Sequence, residues 1–258
     1  MTSKLKKTIK HNSSALILAA ATIAVFLLNI LLKTRLDASS YGKVALLLTY
    51  ISLISSFGLF GSEQLLIRQA EVNQGKRVTI NLVTAYIIGA CLILQLIFPF
   101  LYHSQYGFNN LFLGIILGMS VTMNMLTYNI FRISGRLNLS QVNNAAWKLV
   151  TLCVISIALS FTSLRSYYHI ELIIVAIQFI FAIFFLFLCI SILKIRKTRF
   201  TKQQLIREIG FVFFFFLSLL SVSFIAQGDR LLIPEVTEDL AYVGEYLFLG
   251  TIIIFPYN

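Results

Sequence analysis

Charge is what this sequence has least of. Only 12% of its 258 residues are Asp, Glu, Lys or Arg, against roughly a quarter in a soluble domain. So few polar side chains cannot coat a globule of this length, which excludes an ordinary soluble protein. Acid is scarcer still, with ten carboxylates against 21 Lys and Arg. Cysteine is sparse too: Cys91, Cys153 and Cys189 all fall in apolar stretches. Their odd number rules out full internal pairing, and no CxxC spacing is present. Three histidines, His11, His103 and His169, lie far apart in sequence and suggest no metal site. No cofactor is expected.

What is present is oil. Apolar residues make up 58% of the chain, mean hydropathy is +0.87, and Phe alone numbers 23. The run Phe213 to Phe216 would be an aggregation hazard in water but is ordinary against acyl chains. A helix crosses a bilayer with about 20 apolar residues, and only helices or closed barrels satisfy the backbone there. Seven runs meet that length without the period-two alternation of a barrel: Ser14–Leu32, Val44–Ile67, Thr79–Leu101, Leu111–Ile130, Ala145–Leu164, Glu171–Leu193 and Ile209–Ile233. An eighth begins near Gly244 and stops at Asn258, too short to span. The expected fold is an all-α polytopic membrane protein with about seven full helices and part of an eighth. The first helix has the basic start of a signal peptide, but its core is too long and no A-x-A site follows.

The net charge of +11 follows from the connectors, so no nucleic-acid partner is expected. With the N-terminus in the cytoplasm, the inner segments hold Lys4, Lys6, Lys7 and Lys10, then Arg68, Lys76, Arg77, Arg132 and Arg136, then Lys194 to Arg207. The outer side holds Lys33, Arg35, Lys43 and Arg165. This is the positive-inside bias. Tyr102, Tyr106, Tyr167 and Tyr168 fall at the outer helix ends, where aromatic rings favour the headgroup layer.

A repeat runs through the chain. LDASSYGKVALLLTYISLI, from Leu36, aligns without gaps on EDLAYVGEYLFLGTIIIF, from Glu238. Asp37 falls on Asp239 and Gly42 on Gly244. Six helices lie within one period, so the second copy enters the membrane in the same direction as the first. Parallel repeats build two similar lobes with a path between them. The expected organisation is a six-helix lobe over residues 1–200 and the start of a second, incomplete lobe over 201–258. A chain stopping in mid-membrane reads as a truncated product.

Several stretches carry a family resemblance: Tyr41-Gly42 in the outer loop, Phe57-Gly58-Leu59-Phe60-Gly61 leading to Leu66-Ile67-Arg68, Asp229-Arg230-Leu231-Leu232-Ile233, and Val243-Gly244-Glu245-Tyr246. In their order and spacing they resemble the Wzx-type oligosaccharide flippases, polysaccharide-export relatives of the multidrug MATE exporters. The family usually has twelve or more helices, so most of the second lobe is missing here. The resemblance implies a transporter, not an enzyme. Its cargo would be a polyprenyl-pyrophosphate-linked oligosaccharide, an O-antigen or capsule repeat unit, moved across the cytoplasmic membrane by one lobe rocking against the other. Membrane lipids and other polysaccharide-assembly proteins are the remaining partners it implies. A polysaccharide polymerase or sugar transferase, and a MATE-like drug or ion exporter, are the alternatives.

Ionisable groups within spans are costly and face protein or water. Five are candidates for the substrate path. Asp229 and Arg230 lie near the outer end of the seventh helix, as a cavity charge or as a snorkelling interfacial pair. Lys148 lies about one turn inside the fifth span, as a phosphate-attracting cation or a snorkelling one. Glu63 and Arg68 close the second helix, as part of an inner mouth or as a loop anchor. Arg132 and Arg136 are candidates for lipid phosphate that the positive-inside bias already explains. Gly114 and Gly118, and Gly58 and Gly61, read as close-packing faces. Asn124, Asn129, Gln95 and Gln178 would line a lumen or bond between helices.

Overall fold

Asp37 ends one membrane crossing and starts the next. The first helix, α1 (Thr2–Arg35), gives way at Leu36 and Asp37 to α2 (Ala38–Phe57). The Asp37 carboxylate accepts from the Ser40 backbone N–H at 2.9 Å and caps α2, supplying a partner for one orphan N–H of the first turn. The computed structural model describes residues 2–72, 77–100, 110–161, 166–197, 201–237 and 239–254. Expectations placed on Lys76, Leu101, Tyr102, His103, Tyr106, Leu164, Arg165 and Arg199 lie outside them.

Ten further elements follow the first pair among the described residues, three of them short strands. They are α3 (Ser62–Gln69), β1 (Glu71–Val72), β2 (Val78–Asn81), α4 (Leu82–Leu94), α5 (Leu111–Ile133), α6 (Leu137–Ala158), α7 (Tyr167–Ile190), β3 (Leu193–Arg196), α8 (Lys202–Thr237) and α9 (Leu240–Ile254). Among the described residues, six stretches are long and apolar enough to cross a membrane: 15–35, 38–69, 82–100, 111–133, 167–190 and 202–233. The chain is an all-α polytopic membrane protein.

The fifth expected span is where sequence and structure differ. The helix runs over Leu137–Ala158, not over 145–164. Its first two turns, Leu-Asn-Leu-Ser-Gln-Val-Asn-Asn, are too polar for an apolar-run test. They are helical because their polar groups bond to the neighbouring helix: Ser140 Oγ donates to Tyr128 O at 3.1 Å, and Asn143 Nδ2 to Asn124 O at 2.9 Å. At 22 residues it is long enough to cross, at about 1.5 Å per residue.

Helix directions follow from the contacts. Asn124 meets Gln178, and Phe131 meets Phe185 with ring centroids 6.0 Å apart, at the same separation of 54 residues. The pairs therefore run parallel, α5 beside α7. The α5–α6 contacts run the other way, so these two are antiparallel.

The ends of α3, α5 and α7 gather at one end of the bundle. There Leu66, Val78, Ile130, Phe131, Phe185, Cys189 and Ile192 form one buried cluster. A three-stranded sheet caps this end, with β2 antiparallel to β1 and parallel to β3. The sheet was not expected from the sequence, since its strands hold two to four residues. At the opposite end the core contains Leu28, Leu32, Tyr41, Val44, Tyr167, Ile170, Val243 and Leu247.

The second expected span is one crossing with a break. Phe60 and Gly61 take φ of 51° and 79° between α2 and α3. At Gly61 a Cβ would stand 2.8 Å from both Phe216 N and Val212 O of α8. The backbones of α3 and α8 approach this closely only because position 61 has no side chain.

The two copies of the sequence repeat lie against each other. Asp239 Oδ1 accepts from Ala241 N at 2.9 Å, much as Asp37 caps α2. A Cβ on Gly244 would lie 2.7 Å from Tyr41 Cδ1 and 3.2 Å from Gly42 N, and one on Gly42 would run into the Leu240 carbonyl. The aligned glycines are thus the crossing point of α2 and α9.

Candidate functional site

Several polar groups within the apolar helices converge on one cavity. It measures about 840 Å³ and takes its walls from α1, α2, α3, α5, α6, α7, α8 and α9. Among its lining residues are three cations, Arg132, Lys148 and Arg230, and one carboxylate, Glu63. Carboxamides supply much of the rest, including Asn29, Asn124, Asn129, Asn143 and Gln178.

The three cations stand at different depths. Arg132 is in the last turn of α5, at the sheet-capped end. Lys148 is eleven residues into α6, roughly 16 Å at about 1.5 Å per residue. Its position at mid-helix, rather than one turn from an end, follows from the earlier start of α6. Arg230 is seven residues from the far end of α8. Its buried Nε has no partner.

Glu63 is 4% exposed and its Oε2 has no hydrogen-bond partner. It sits in the first turn of α3. Five residues later Arg68 faces elsewhere: it is bonded to Glu208 at the start of α8 and stacks over the Phe211 ring at 3.9 Å. Glu63 and Arg68 therefore do not form a common mouth. Glu208, 3% exposed, also accepts from Arg207 at 3.2 Å. It escaped the sequence reading because the stretch Arg207-Glu208 looks like an ordinary charged connector.

Consecutive residues on a helix point about 100° apart, and this separates Asp229 from Arg230. Arg230 lines the cavity, while the exposed Asp229 accepts from the Tyr246 hydroxyl of α9. Of the five candidates, Glu63, Lys148 and Arg230 share one cavity, and Arg68 and Asp229 each join α8 to a neighbouring helix instead.

The amides form a ladder between α5, α6 and α7. Asn124 Nδ2 donates to Gln178 Oε1 at 2.9 Å, and Asn143 Nδ2 donates to Thr127 Oγ1 at 2.8 Å. Gly118 serves packing: an added Cβ would stand 2.6 Å from the Tyr50 hydroxyl of α2, which also donates to the Gly114 carbonyl at 3.4 Å. Gln95 is wholly buried, with neither amide atom partnered.

A smaller cavity of about 380 Å³ lies beside the sheet, with Glu71 and Glu208 balanced by Arg196 and Arg207. Among the described residues no group of three His, Cys, Asp or Glu is placed to hold a metal ion.

A multi-pass helical membrane protein with a cationic, amide-lined interior is the class that fold and cavity define. No protein-family model, curated protein or solved structure matches the chain.

Proposed function

We propose that this chain forms the translocation path of a flippase, carrying a polyprenyl-pyrophosphate-linked oligosaccharide across the cytoplasmic membrane. One observation carries the reading: a cavity of about 840 Å³ inside an apolar bundle, lined by Arg132, Lys148 and Arg230 at successive depths. Buried charge in a membrane is retained where it faces protein, water or a charged cargo. Three cations against one carboxylate suit an anionic pyrophosphate, and the carboxamides suit a hydroxyl-rich glycan.

The orientation belongs to the same proposal. Arg68, Arg77, Arg132, Arg136, Lys194, Arg196, Lys197, Lys202 and Arg207 follow the helix ends nearest the sheet, which is the cytoplasmic face by the positive-inside bias. The N-terminus is then inside, and the residues after 201 begin a second lobe that rocks against the first.

The test is translocation of a lipid-linked oligosaccharide in vesicles containing the full-length gene product. Lys148→Glu is expected to slow transport at least about tenfold, the effect of roughly 1.4 kcal/mol on a barrier. Lys194→Gln, on an exposed strand, leaves it unchanged. No translocation by the wild type would end the proposal.

Glu63 favours a second reading, export of a cationic drug or ion, because a buried carboxylate with an unpartnered oxygen lines the same space. Faster transport of a cationic dye than of the oligosaccharide would support it.

A further inference from the structure

The amide ladder belongs to the cavity wall and leaves two of its acceptors unused. Asn143 Nδ2 donates to the backbone carbonyl of Asn124 at 2.9 Å as well as to Thr127 Oγ1. Asn124 Nδ2 donates to the side-chain oxygen of Gln178 at 2.9 Å and to its backbone carbonyl at 3.4 Å. A backbone carbonyl only accepts, so neither amide can be flipped without setting oxygen against oxygen. The amide oxygens are therefore fixed on the other side of each group. Asn124 Oδ1 and Asn143 Oδ1 are both buried with no partner, in residues 8% and 1% exposed that line the cavity.

A buried acceptor left without a donor costs about 1–3 kcal/mol. Two together in one wall mark a place where a ligand supplies the donors. A metal cation is disfavoured, because Lys148 lines the same wall five residues from Asn143. Trp147 lies one helical turn beyond Asn143 and also lines the cavity. Its indole offers an apolar plane of the kind that covers the CH face of a sugar ring.

We infer that Asn124, Asn143 and Trp147 form a saccharide subsite, which reads neutral sugar hydroxyls as hydrogen-bond donors at the level of Lys148. This inference rests on the transport reading and adds which wall of the cavity holds the glycan. The lipid-linked phosphates are left to the cations.

The chain carries one tryptophan, so its emission reports on this wall alone. The purified full chain in detergent is titrated with neutral trisaccharides (maltotriose, cellotriose and tri-N-acetylchitotriose) and with their fully O-methylated forms, which cannot donate. A saturable change in Trp147 emission is expected with at least one free trisaccharide. Binding at least about tenfold weaker is expected for its O-methylated form, the effect of one lost hydrogen bond. Asn143→Leu should weaken the free sugar comparably without altering elution on size exclusion. If that variant misfolds, the comparison of ligands on the wild type decides.

Silence of Trp147 across the panel, or equal binding of the O-methylated sugars, overturns the subsite. A hydroxyl-dependent signal without translocation of the lipid-linked oligosaccharide keeps the subsite and ends the flippase reading. Translocation with a silent Trp147 does the reverse.

Discussion

Arg68 on α3 and Glu208 on α8 are joined across 140 residues of sequence. The pair ties the break after α2 to the first turns of α8, and the Phe211 ring beneath the guanidinium holds it in place. Glu208 is the buried member and Arg68 the half-exposed one, at 44%.

Removing Arg68 leaves the Glu208 carboxylate with Arg207 alone. Arg68→Ala is expected to destabilise the protein by about 1–2 kcal/mol, less than the ~3–5 of a wholly buried pair because water reaches Arg68. The double variant R68E/E208R should recover part of the loss. Thermal unfolding in detergent reads both, and an unchanged midpoint for Arg68→Ala would show the pair to be energetically idle.

Gly42 is expected to tolerate no side chain. A Cβ there runs into the Leu240 carbonyl of α9, and forcing atoms into a packed contact costs about 1–3 kcal/mol. Gly42→Ala should therefore lower the unfolding midpoint even though alanine favours a helix. Gly89 in α4 has nothing within 4 Å of its added Cβ, so Gly89→Ala should be neutral or slightly stabilising. Equal behaviour of the two variants would contradict the close crossing of α2 and α9.

Gln95 presents the opposite case. Its side chain is wholly buried and both amide atoms lack partners. Replacing it with leucine, of similar volume, removes a desolvation penalty of about 1–3 kcal/mol. Gln95→Leu is expected to raise the unfolding midpoint. A fall would mean that the amide makes bonds in the membrane that outweigh that penalty.

Asp37 introduces a pH dependence at the α1–α2 turn. Hydrogen bonds from Ser40, backbone first and then side chain, hold its carboxyl below the ordinary value of 3.8. A carboxyl lowered by folding adds stability that is fully present above its unfolded value and is lost as the pH falls through the folded one. Acid should therefore loosen the start of α2 only below about pH 4. Asp37→Asn keeps an acceptor and removes this step. Asp37→Ala loses the cap, at about 1 kcal/mol at neutral pH. Hydrogen exchange at Ser40 against pH distinguishes the three proteins, and a flat profile in the wild type would refute the assignment.

Much of the fold was legible in the linear chain because lipid imposes a one-dimensional rule. A segment that crosses must be long and apolar, and six stretches satisfy that in both sequence and structure. The rule misplaces α6, setting it at 145–164 instead of 137–158, since it reads composition and cannot know that Ser140 and Asn143 bond to α5. It also misses the sheet, whose strands are too short to leave a periodic signal. The pairing of Asp37 with Asp239 and of Gly42 with Gly244 is visible in sequence as a weak pattern. That the two glycines touch is visible only in three dimensions.

The candidate residues divide in the same way. The sequence alone determined which groups are ionisable within oily spans, because the cost of burying charge depends on composition and depth. It also determined that basic side chains collect in alternate connectors. Only the tertiary structure decided that Glu63, Lys148 and Arg230 meet in one cavity, while Arg68 and Asp229 are engaged elsewhere. The reason is helical geometry: a single residue step turns a side chain by about 100°, so neighbours in sequence serve different walls. Which wall each one meets is set by the packing of helices far apart along the chain.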